Sequence, residues 1–489
     1  MRQRSKLVIR LALAACLVAT LLQVGVVTAA TKSKLPPYEI VWYYLGPGVQ
    51  RDNALIEAEV NKYLKDKINA TVKLNCLDWG SYEQKMRAMI AAGEPFDICF
   101  TASWWNNYVQ YSLNGAFLPL NDLLTKYAPK TKKILGKDFL AASQINGKNY
   151  GIPCNKEKGR DVGFVYNKTL ADKYHFDMSK VKSYADIEPM LKTIKENEPA
   201  EIVPLENYCP PTQFISWNVS NIEEVGTLLP DGKYYIQYAT PEFKAAYALA
   251  RKFYLAGYFK KDAATAKDKE VEVKQGKFFA YGMNLKPGYA AETNSNNKAY
   301  GFETAQVSCT KVYMTNTETM GSLQAISRTS KNPERAMMFL ELVNSDRYLN
   351  NLINYGIEGK HYTKVSENVI RKIPESGYNP AMNWMFGNQM LNYLRETESP
   401  TKWKDFEAYN KKAIPAPDLG FIFDPVNVKA EIAACDNVIK QYHPVLRCGA
   451  VDPEQILPEF ISKLKAAGAE KVVAEKQRQY DAWKKANKK

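Results

Sequence analysis

The chain has 489 residues, a net charge of +14 and an aromatic content of 12%. That length exceeds what one hydrophobic core serves and calls for two or three domains. Only three histidines, His175, His361 and His443, and no Cys-x-x-Cys spacing speak against a zinc enzyme.

The first thirty residues read as a targeting segment. Met1–Arg10 carries four basic residues and no acid, and Leu11–Val27 is almost wholly apolar. Val27-Thr28-Ala29 then offers the small-x-small pattern of a secretory cleavage site. Leu13-Ala14-Ala15-Cys16 competes as a lipobox, with Cys16 acylated, and an uncleaved anchor is the third alternative. Cleavage near Ala29 or Ala30 is the preferred reading, with residues 1–30 as the signal peptide. Later in the chain no segment approaches the ~20 apolar residues of a membrane span. Of the remaining basic excess, +6 falls within Lys463–Lys489, where nine basic residues face three acids. The ordinary reading is a solvated helix face. A binding role would call for an acidic ligand or an anionic surface, and nucleic acid is not expected.

Tyr38–Leu45 is an apolar, aromatic run that ends in Gly46-Pro47-Gly48, a strand followed by a turn. Asn53–Lys67 has helical periodicity, Thr71–Leu77 is a second strand ending at Asp78-Trp79-Gly80, and Tyr82–Ala92 is a helix. A Gly-Glu-Pro turn then leads into the buried strand Phe96–Phe100 and the loop Thr101–Trp105 with its two adjacent tryptophans. This order predicts a parallel sheet with helices on both faces and the first strand in the middle. Ligands bind at the carboxyl ends of such strands, so Trp104 and Trp105 are candidate contacts; plain packing is the alternative.

Asn146-Gly147 marks a hairpin turn before Ile152-Pro153, and Gly163–Tyr166 is a further strand. Helices are expected over Asn167–Tyr174, Tyr184–Glu196, Pro241–Ala256 and Glu334–Asn344, the last with Asn332 as cap and Pro333 as its first residue. Phe278–Met283 reads as a strand. Met382–Leu394, Lys402–Ala413 and Val428–Gln441 read as helices, as does the region from Asp452-Pro453 to about Lys485, with a break at Gly468.

The chain carries no Gly-x-Ser-x-Gly elbow, no Walker loop and no dinucleotide fingerprint after the first strand. Paired carboxylates such as Glu223-Glu224 and Glu396/Glu398 are what a surface with 52 acids supplies. Of eight cysteines, Cys76 and Cys99 fall on strands that flank a common neighbour and should not meet. Cys435 and Cys448 could be brought together by a turn through His443-Pro444, or stay free. Aromatic residues are abundant just past predicted strands: Trp79, Trp104, Trp105, Tyr208 and Trp217. Sugar rings offer apolar C–H faces that pack on such rings, although a peptide would be served by the same inventory. Trp42, mid-strand, and the helical Trp403 and Trp483 are expected in the core.

Six stretches in fixed order carry a resemblance: MIAAGEPFDICF (89–100), INGKNYGIP (145–153), VYNKTL (165–170), SKNPERAMMFLELV (330–343), YGIEGKHY (355–362) and FIFDPVNVKAEIAACDNV (421–438). With them the chain resembles the extracellular solute-binding proteins of bacterial ATP-binding-cassette (ABC) importers, in the oligosaccharide-binding group and its LplA-like branch. The resemblance covers nearly all of the chain after the leader. It implies an α/β, two-lobed periplasmic-binding-protein-like fold with hinge strands and a helical C-terminal extension. Lobe 1 would comprise 31–152 plus 309–345, and lobe 2 would comprise 153–308 plus 346–489. Hinge crossings are expected near Tyr150–Lys156, Phe302–Ser308 and Asn344–Asn350.

The resemblance further implies ligand contacts at Gly46, at Ser103, Trp104 and Trp105, at Asn155 and Lys156 just past the first crossing, at Tyr208, Trp217 and Asn284, and at Phe423 and Asp424. It implies an oligosaccharide ligand, possibly containing uronate, and membrane permease subunits as partners. No catalysis, cofactor or metal is expected of a monomer that is exported and held at the outer face of the membrane or secreted. The rival classes are an exported carbohydrate-active hydrolase or lyase and a peptide-type receptor on the same fold.

Overall fold

The structure is a computed structural model that describes residues 35–206, 225–265, 269–292 and 301–487. The expected leader, Tyr208 and Trp217 lie outside the described residues.

The first sheet is built from β1 (Tyr38–Gly46), β2 (Ala70–Asp78), β3 (Ile98–Thr101), β4 (Gly151–Pro153) and, from far along the chain, β12 (Leu323–Ile326). Its order is β2-β1-β3-β12-β4. β1 runs parallel to β2 and β3, whereas β12 is antiparallel to β3 and β4. The first strand therefore lies between the second and third, as the β-α-β-α-β order predicts. Side chains alternate along β1, and Ile40, Trp42 and Tyr44 enter the core. Trp42 is fully buried and donates its indole N–H to Gln324 Oε1 at 2.8 Å. Helix Asn53–Ile68 lays Ile56, Val60 and Leu64 on the same core.

Two buried polar groups fix this sheet. Asp97, just before β3, accepts from Val41 N (2.9 Å) and from Tyr38 OH (2.7 Å). Arg335, 2% exposed, donates through Nη1 to the carbonyls of Pro36 (3.1 Å), Ile68 (2.7 Å) and Asn69 (2.9 Å). Ile68 ends its helix, so a buried cation meets orphan carbonyls at the negative end of the helix dipole.

A second sheet has the order β10-β5-β9-β6, from β5 (Asp161–Asn167), β6 (Val203–Leu205), β9 (Phe278–Leu285) and β10 (Thr304–Ser308). β5 is antiparallel to both neighbours, and β6 runs parallel to β9. A hairpin of β7 (Gly226–Leu228) and β8 (Tyr234–Ile236) forms a separate two-stranded sheet. Helices Lys429–Arg447, Pro453–Ala466 and Ala469–Asn487 share a core with Val225, Ile236, Tyr238, Phe243 and Tyr247. The turn at Gly468, with φ +99°, separates the last two helices at the expected break.

Two expectations are corrected. The chain does not leave the first core at 346: Leu349, Leu352, Ile353, Tyr378, Met385 and Phe386 all belong to it. Helix Arg347–Tyr355 buries its apolar face there. On its other positions Asn350 and Asn351 donate to the carbonyls of Phe386 (3.0 Å) and Leu391 (2.9 Å). Residues 346–386 thus stay with the first core at the expected Asn344–Asn350 crossing.

Nor is Met382–Leu394 a helix. It is an irregular path with one 3-10 turn at Gln389–Leu391, and its backbone groups are taken up by those asparagines. Gly387, at φ +69°, passes so close that a Cβ would stand 2.7 Å from the Val343 carbonyl oxygen.

Of the two alternatives for Cys435 and Cys448, the structure takes the unbridged one: both are buried and no disulfide joins them. Cys435 lies within helix Lys429–Arg447 and Cys448 caps its end, so thirteen residues of helical rise hold them roughly 20 Å apart. Cys76 and Cys99 are free as well and pair with Tyr44 and Tyr43 on opposite sides of β1.

Candidate functional site

Past the carboxyl ends of β2 and β3 the chain places Trp79, Trp104 and Trp105, and the irregular 382–394 path adds Trp384. Trp104 is the centre of the group. Its ring centroid lies 6.3 Å from Trp79 with planes 23° apart, 6.1 Å from Trp105 and 6.0 Å from Trp384. Phe100, at the end of β3, supports it from below at 6.2 Å. The Trp104 N–H is anchored on the Gly321 carbonyl at 2.8 Å, so the indole cannot swing freely. Trp79 is 43% exposed and Trp104 46% exposed, which is unusual for the largest apolar side chains. Trp105 is half-buried, and its indole nitrogen has no hydrogen-bond partner among the described residues.

The local chain explains the exposure. Asn106 adopts φ +47° and donates its amide to the Phe100 carbonyl (2.8 Å), while the Ala102 N–H closes onto the Trp105 carbonyl (2.9 Å). This tight loop turns Trp104 outward, while Trp105 packs in part against the first core. At Trp79 the preceding Asp78 accepts from Gly80 N (2.9 Å) and Ser81 N (3.1 Å). The Ser81 hydroxyl first, and these backbone donors with it, hold the Asp78 carboxyl below its usual range. Its charge is spent on starting helix Tyr82–Ala92.

The other residues expected at the site have varied surroundings. Gly46 is buried at the end of β1; a Cβ there would stand 2.6 Å from Cys76 Sγ and 3.9 Å from Met382 Cγ. Ser103 is half-buried and donates its backbone N–H to the Met320 carbonyl at 2.8 Å. Asn155 is buried and bound to Asn388, Nδ2 to Oδ1 at 2.7 Å. Lys156 pairs with Glu157 at 2.7 Å. Asn284 is exposed on β9, opposite Val162. Phe423 packs in the helical region with the Lys476 ammonium 5.3 Å from its ring, and Asp424 caps the turn Pro425–Val428 through Val426 N (3.0 Å). The structure therefore gathers Trp104 and Trp105 with Trp79, which the sequence analysis singled out only as an aromatic, and with Trp384, which it missed. Trp384 was hidden by the helical reading of its segment; Gly387 and the asparagines around it were the available signal.

A series of partly buried ion pairs links the end of β9 to the segment 395–402. Lys286 meets Glu292 at 3.2 Å; Lys402 bridges Glu292 (2.9 Å) and Glu398 (2.7 Å); Arg395 closes on Glu398 at 2.9 Å. Burial alone would raise the Glu157 and Glu398 carboxyls. Lys156 and Lys286 overcome it at Glu157, Lys402 and Arg395 at Glu398, and both are held at about 2.

His361 is buried, accepts from Ile357 N at Nδ1 (2.9 Å) and meets Asp52 at Nε2 (3.1 Å), so both ring nitrogens are engaged. Among the described residues no group of three or more His, Cys, Asp or Glu side chains is arranged to hold a metal.

Residues 58–358 match the family described as bacterial extracellular solute-binding protein, and residues 417–485 match a domain of unknown function. A carbohydrate ABC transporter substrate-binding protein of Streptococcus pneumoniae is 33% identical over 87% of either chain. The diacetylchitobiose binding protein DasA of Streptomyces coelicolor is 27% identical over 60% of this chain and 66% of its own. Among solved structures, the N-glycan transport solute binding protein NgtS of Streptococcus pneumoniae superposes with a TM-score of 0.81 at 30% identity, covering 93% of this chain and all of that one. On the family match over more than half its length, the chain belongs to the bacterial extracellular solute-binding proteins.

Proposed function

We propose that this protein captures an oligosaccharide outside the cell between two lobes and delivers it to the permease of an ABC importer. One observation carries the reading: four tryptophans gathered at the carboxyl ends of the first sheet's strands, two of them with broadly exposed faces. Glycan C–H faces can cover that apolar surface, which water covers poorly; about 25 cal/mol is gained per Å² removed from water.

Hinge closure is part of the proposal. Complexes of NgtS with Man1GlcNAc and Man5GlcNAc superpose on this chain with TM-scores of 0.71 and 0.69, below the 0.81 of the structure described without a glycan. A protein whose lobes close on a glycan gives such a difference, and a ligand shifts that equilibrium only by its differential affinity for the closed state. The protein acts as a monomer, without turnover. It is exported by its leader, with cleavage near Ala29 preferred over acylation at Cys16. Mass spectrometry of the mature N-terminus distinguishes the two.

The test is calorimetric titration of the mature protein with high-mannose N-glycan fragments, alongside a reducing-end assay. Saturable binding with no released sugar is expected. Turnover, or no binding to any neutral or acidic oligosaccharide in a broad panel, overturns the reading.

A further inference from the structure

The described residues also line a cavity of about 490 Å³ that the function above leaves unused. One wall is the turn after β1, with Gln50 and Arg51. The other is the chain from Lys372, the last residue of β14 (Val369–Lys372), through Asn379. The walls are stapled together: Gln50 Nε2 donates to the Asn379 carbonyl (2.8 Å), Arg51 Nη2 to the Glu375 carbonyl (3.2 Å), and Asp52 N to the Gly377 carbonyl (3.1 Å). From Asn379 the same strand of chain reaches Met382, beside Gly46, and Trp384. Five residues span at most about 18 Å, so one extended glycan can reach both places.

The cavity's chemistry is one-sided. Two basic side chains line it, Arg51 and Lys372, with the buried imidazole of His361, against one acid, the exposed Glu375, and Gln50, Asn354 and Asn379 as amides. Arg51 is 70% exposed and only loosely paired with Asp52, at 3.5 Å. Lys372 is the unusual group. Its ammonium donates to Asn379 Oδ1 and lies 5.9 Å from the Tyr355 ring centroid, and no carboxylate stands within ion-pair distance of it among the described residues. The nearest charges on neighbouring elements are Arg395 and Glu398, and these already pair with each other at 2.9 Å. Burial, with Arg395 adding to it, pushes the Lys372 ammonium down to about 8. A half-buried cation without a counter-ion loses part of its hydration, and an anion in the cavity would make up for it.

We infer that this cavity is a subsite for a small oxyanion, in first place the carboxylate of an acidic sugar on the glycan, with Lys372 as counter-ion and Arg51 as the second cation. The inference rests on the oligosaccharide reading for the source of the anion and on the cavity alone for the anion itself. A carboxylate there accepts from the ammonium and from the Arg51 guanidinium, which presents a planar fork. Neutral sugars would fill the aromatic surface equally well but would leave Lys372 unpaired.

Calorimetry with a uronate-ended oligosaccharide, its methyl ester, free glucuronate and inorganic phosphate tests this on wild-type protein, Lys372→Met and Arg51→Gln. The acid is expected to bind wild type at least tenfold tighter than its ester. That preference should vanish in Lys372→Met and fall several-fold in Arg51→Gln, with ester affinity unchanged in both. At pH 8.5 binding of the acid should take up protons, read as an enthalpy that depends on the buffer, and this too should vanish in Lys372→Met. Lys372-dependent binding of glucuronate or phosphate by themselves also supports the anion site and assigns it to free anions. Equal affinity for acid and ester, with no Lys372-dependent binding of the free anions, overturns the inference, and so does a preference for acid that survives Lys372→Met. Failure of every glycan with retained phosphate binding sinks the oligosaccharide reading and leaves this one standing.

Discussion

Asn155 and Asn388 stand 233 residues apart in the chain, yet their side-chain amides meet at 2.7 Å. Their backbones are joined too, by Asn155 N to the Gly387 carbonyl (3.0 Å) and Gln389 N to the Asn155 carbonyl (3.0 Å). The amide that the family resemblance assigns to the ligand is thus engaged in holding the crossing segment to the late part of the chain. Asn155→Ala should lower stability by about 1–2 kcal/mol, the cost of leaving a buried amide unpaired. Urea unfolding reads this, and glycan affinity should change less than threefold. A collapse of affinity at unchanged stability would return Asn155 to the binding surface.

Trp104 is the indole with the most neighbours in the aromatic group and an exposed face. Trp104→Ala should weaken glycan binding at least tenfold, and Trp384→Ala by a comparable factor, because an aromatic anchor in a binding surface is commonly worth 2 kcal/mol or more. Trp105→Phe, which keeps the apolar body and removes an N–H that has no partner, should stay within about threefold of wild type. Calorimetry against the true ligand checks all three, and equal, small effects would remove the aromatic group from the site.

Arg335 predicts a fold defect without a binding defect. Arg335→Met leaves the carbonyls of Pro36, Ile68 and Asn69 without their donor inside the first core. A loss of about 2–4 kcal/mol is expected. It should appear as a lower urea midpoint, with the affinity of the folded fraction preserved.

Two pH windows follow from the buried charges. Glu157 and Glu398 are held at about 2, below the ordinary glutamate value, so their contribution is complete above about pH 4.5 and is lost as pH falls toward 2. Thermal melts should fall across that interval, and less so in Glu398→Gln. Lys372 works in the opposite sense. Its folded value of about 8 lies below that of the unfolded chain, so the unfolded state binds the extra proton between pH 8 and about 10.4. Its part of the stability therefore rises with pH over that window, by about 2 kcal/mol at most. The difference between wild type and Lys372→Met, melted at pH 7.5 and pH 10, isolates it, and a flat difference contradicts it.

The first sheet was legible because its signals are local. Tyr38–Gly46, Ala70–Asp78 and the run ending at Phe100 are short apolar segments bounded by turn residues, and their order with the intervening helices sets which strand lies centrally. The same is true of the Asn332 cap, whose Oδ1 accepts from Arg335 N at 3.1 Å, and of the Asn146-Gly147 turn, both residues of which have positive φ. Trp384 was not legible in this way. Its segment has helical spacing, but Asn350 and Asn351 take its carbonyls from more than thirty residues away, and no periodicity records that. Lys156, Phe423 and Asp424 illustrate the converse. Their residue types suit a ligand, and the structure adds partners within the chain, Glu157, Lys476 and Val426, which are visible only once the chain is folded.

The aromatic group has one more consequence, an optical one. Four of the chain's eight tryptophans, Trp79, Trp104, Trp105 and Trp384, are linked through Trp104 at ring-centroid distances of 6.0 to 6.3 Å, and Trp104 and Trp79 are open to water. Excitation energy will pass among these indoles, and their summed emission will follow the polarity over two of them. The arrival of a sugar that displaces that water should shift the intrinsic fluorescence of the whole protein to the blue. The molecule therefore carries its own reporter of occupancy, readable in a stopped-flow instrument without any label.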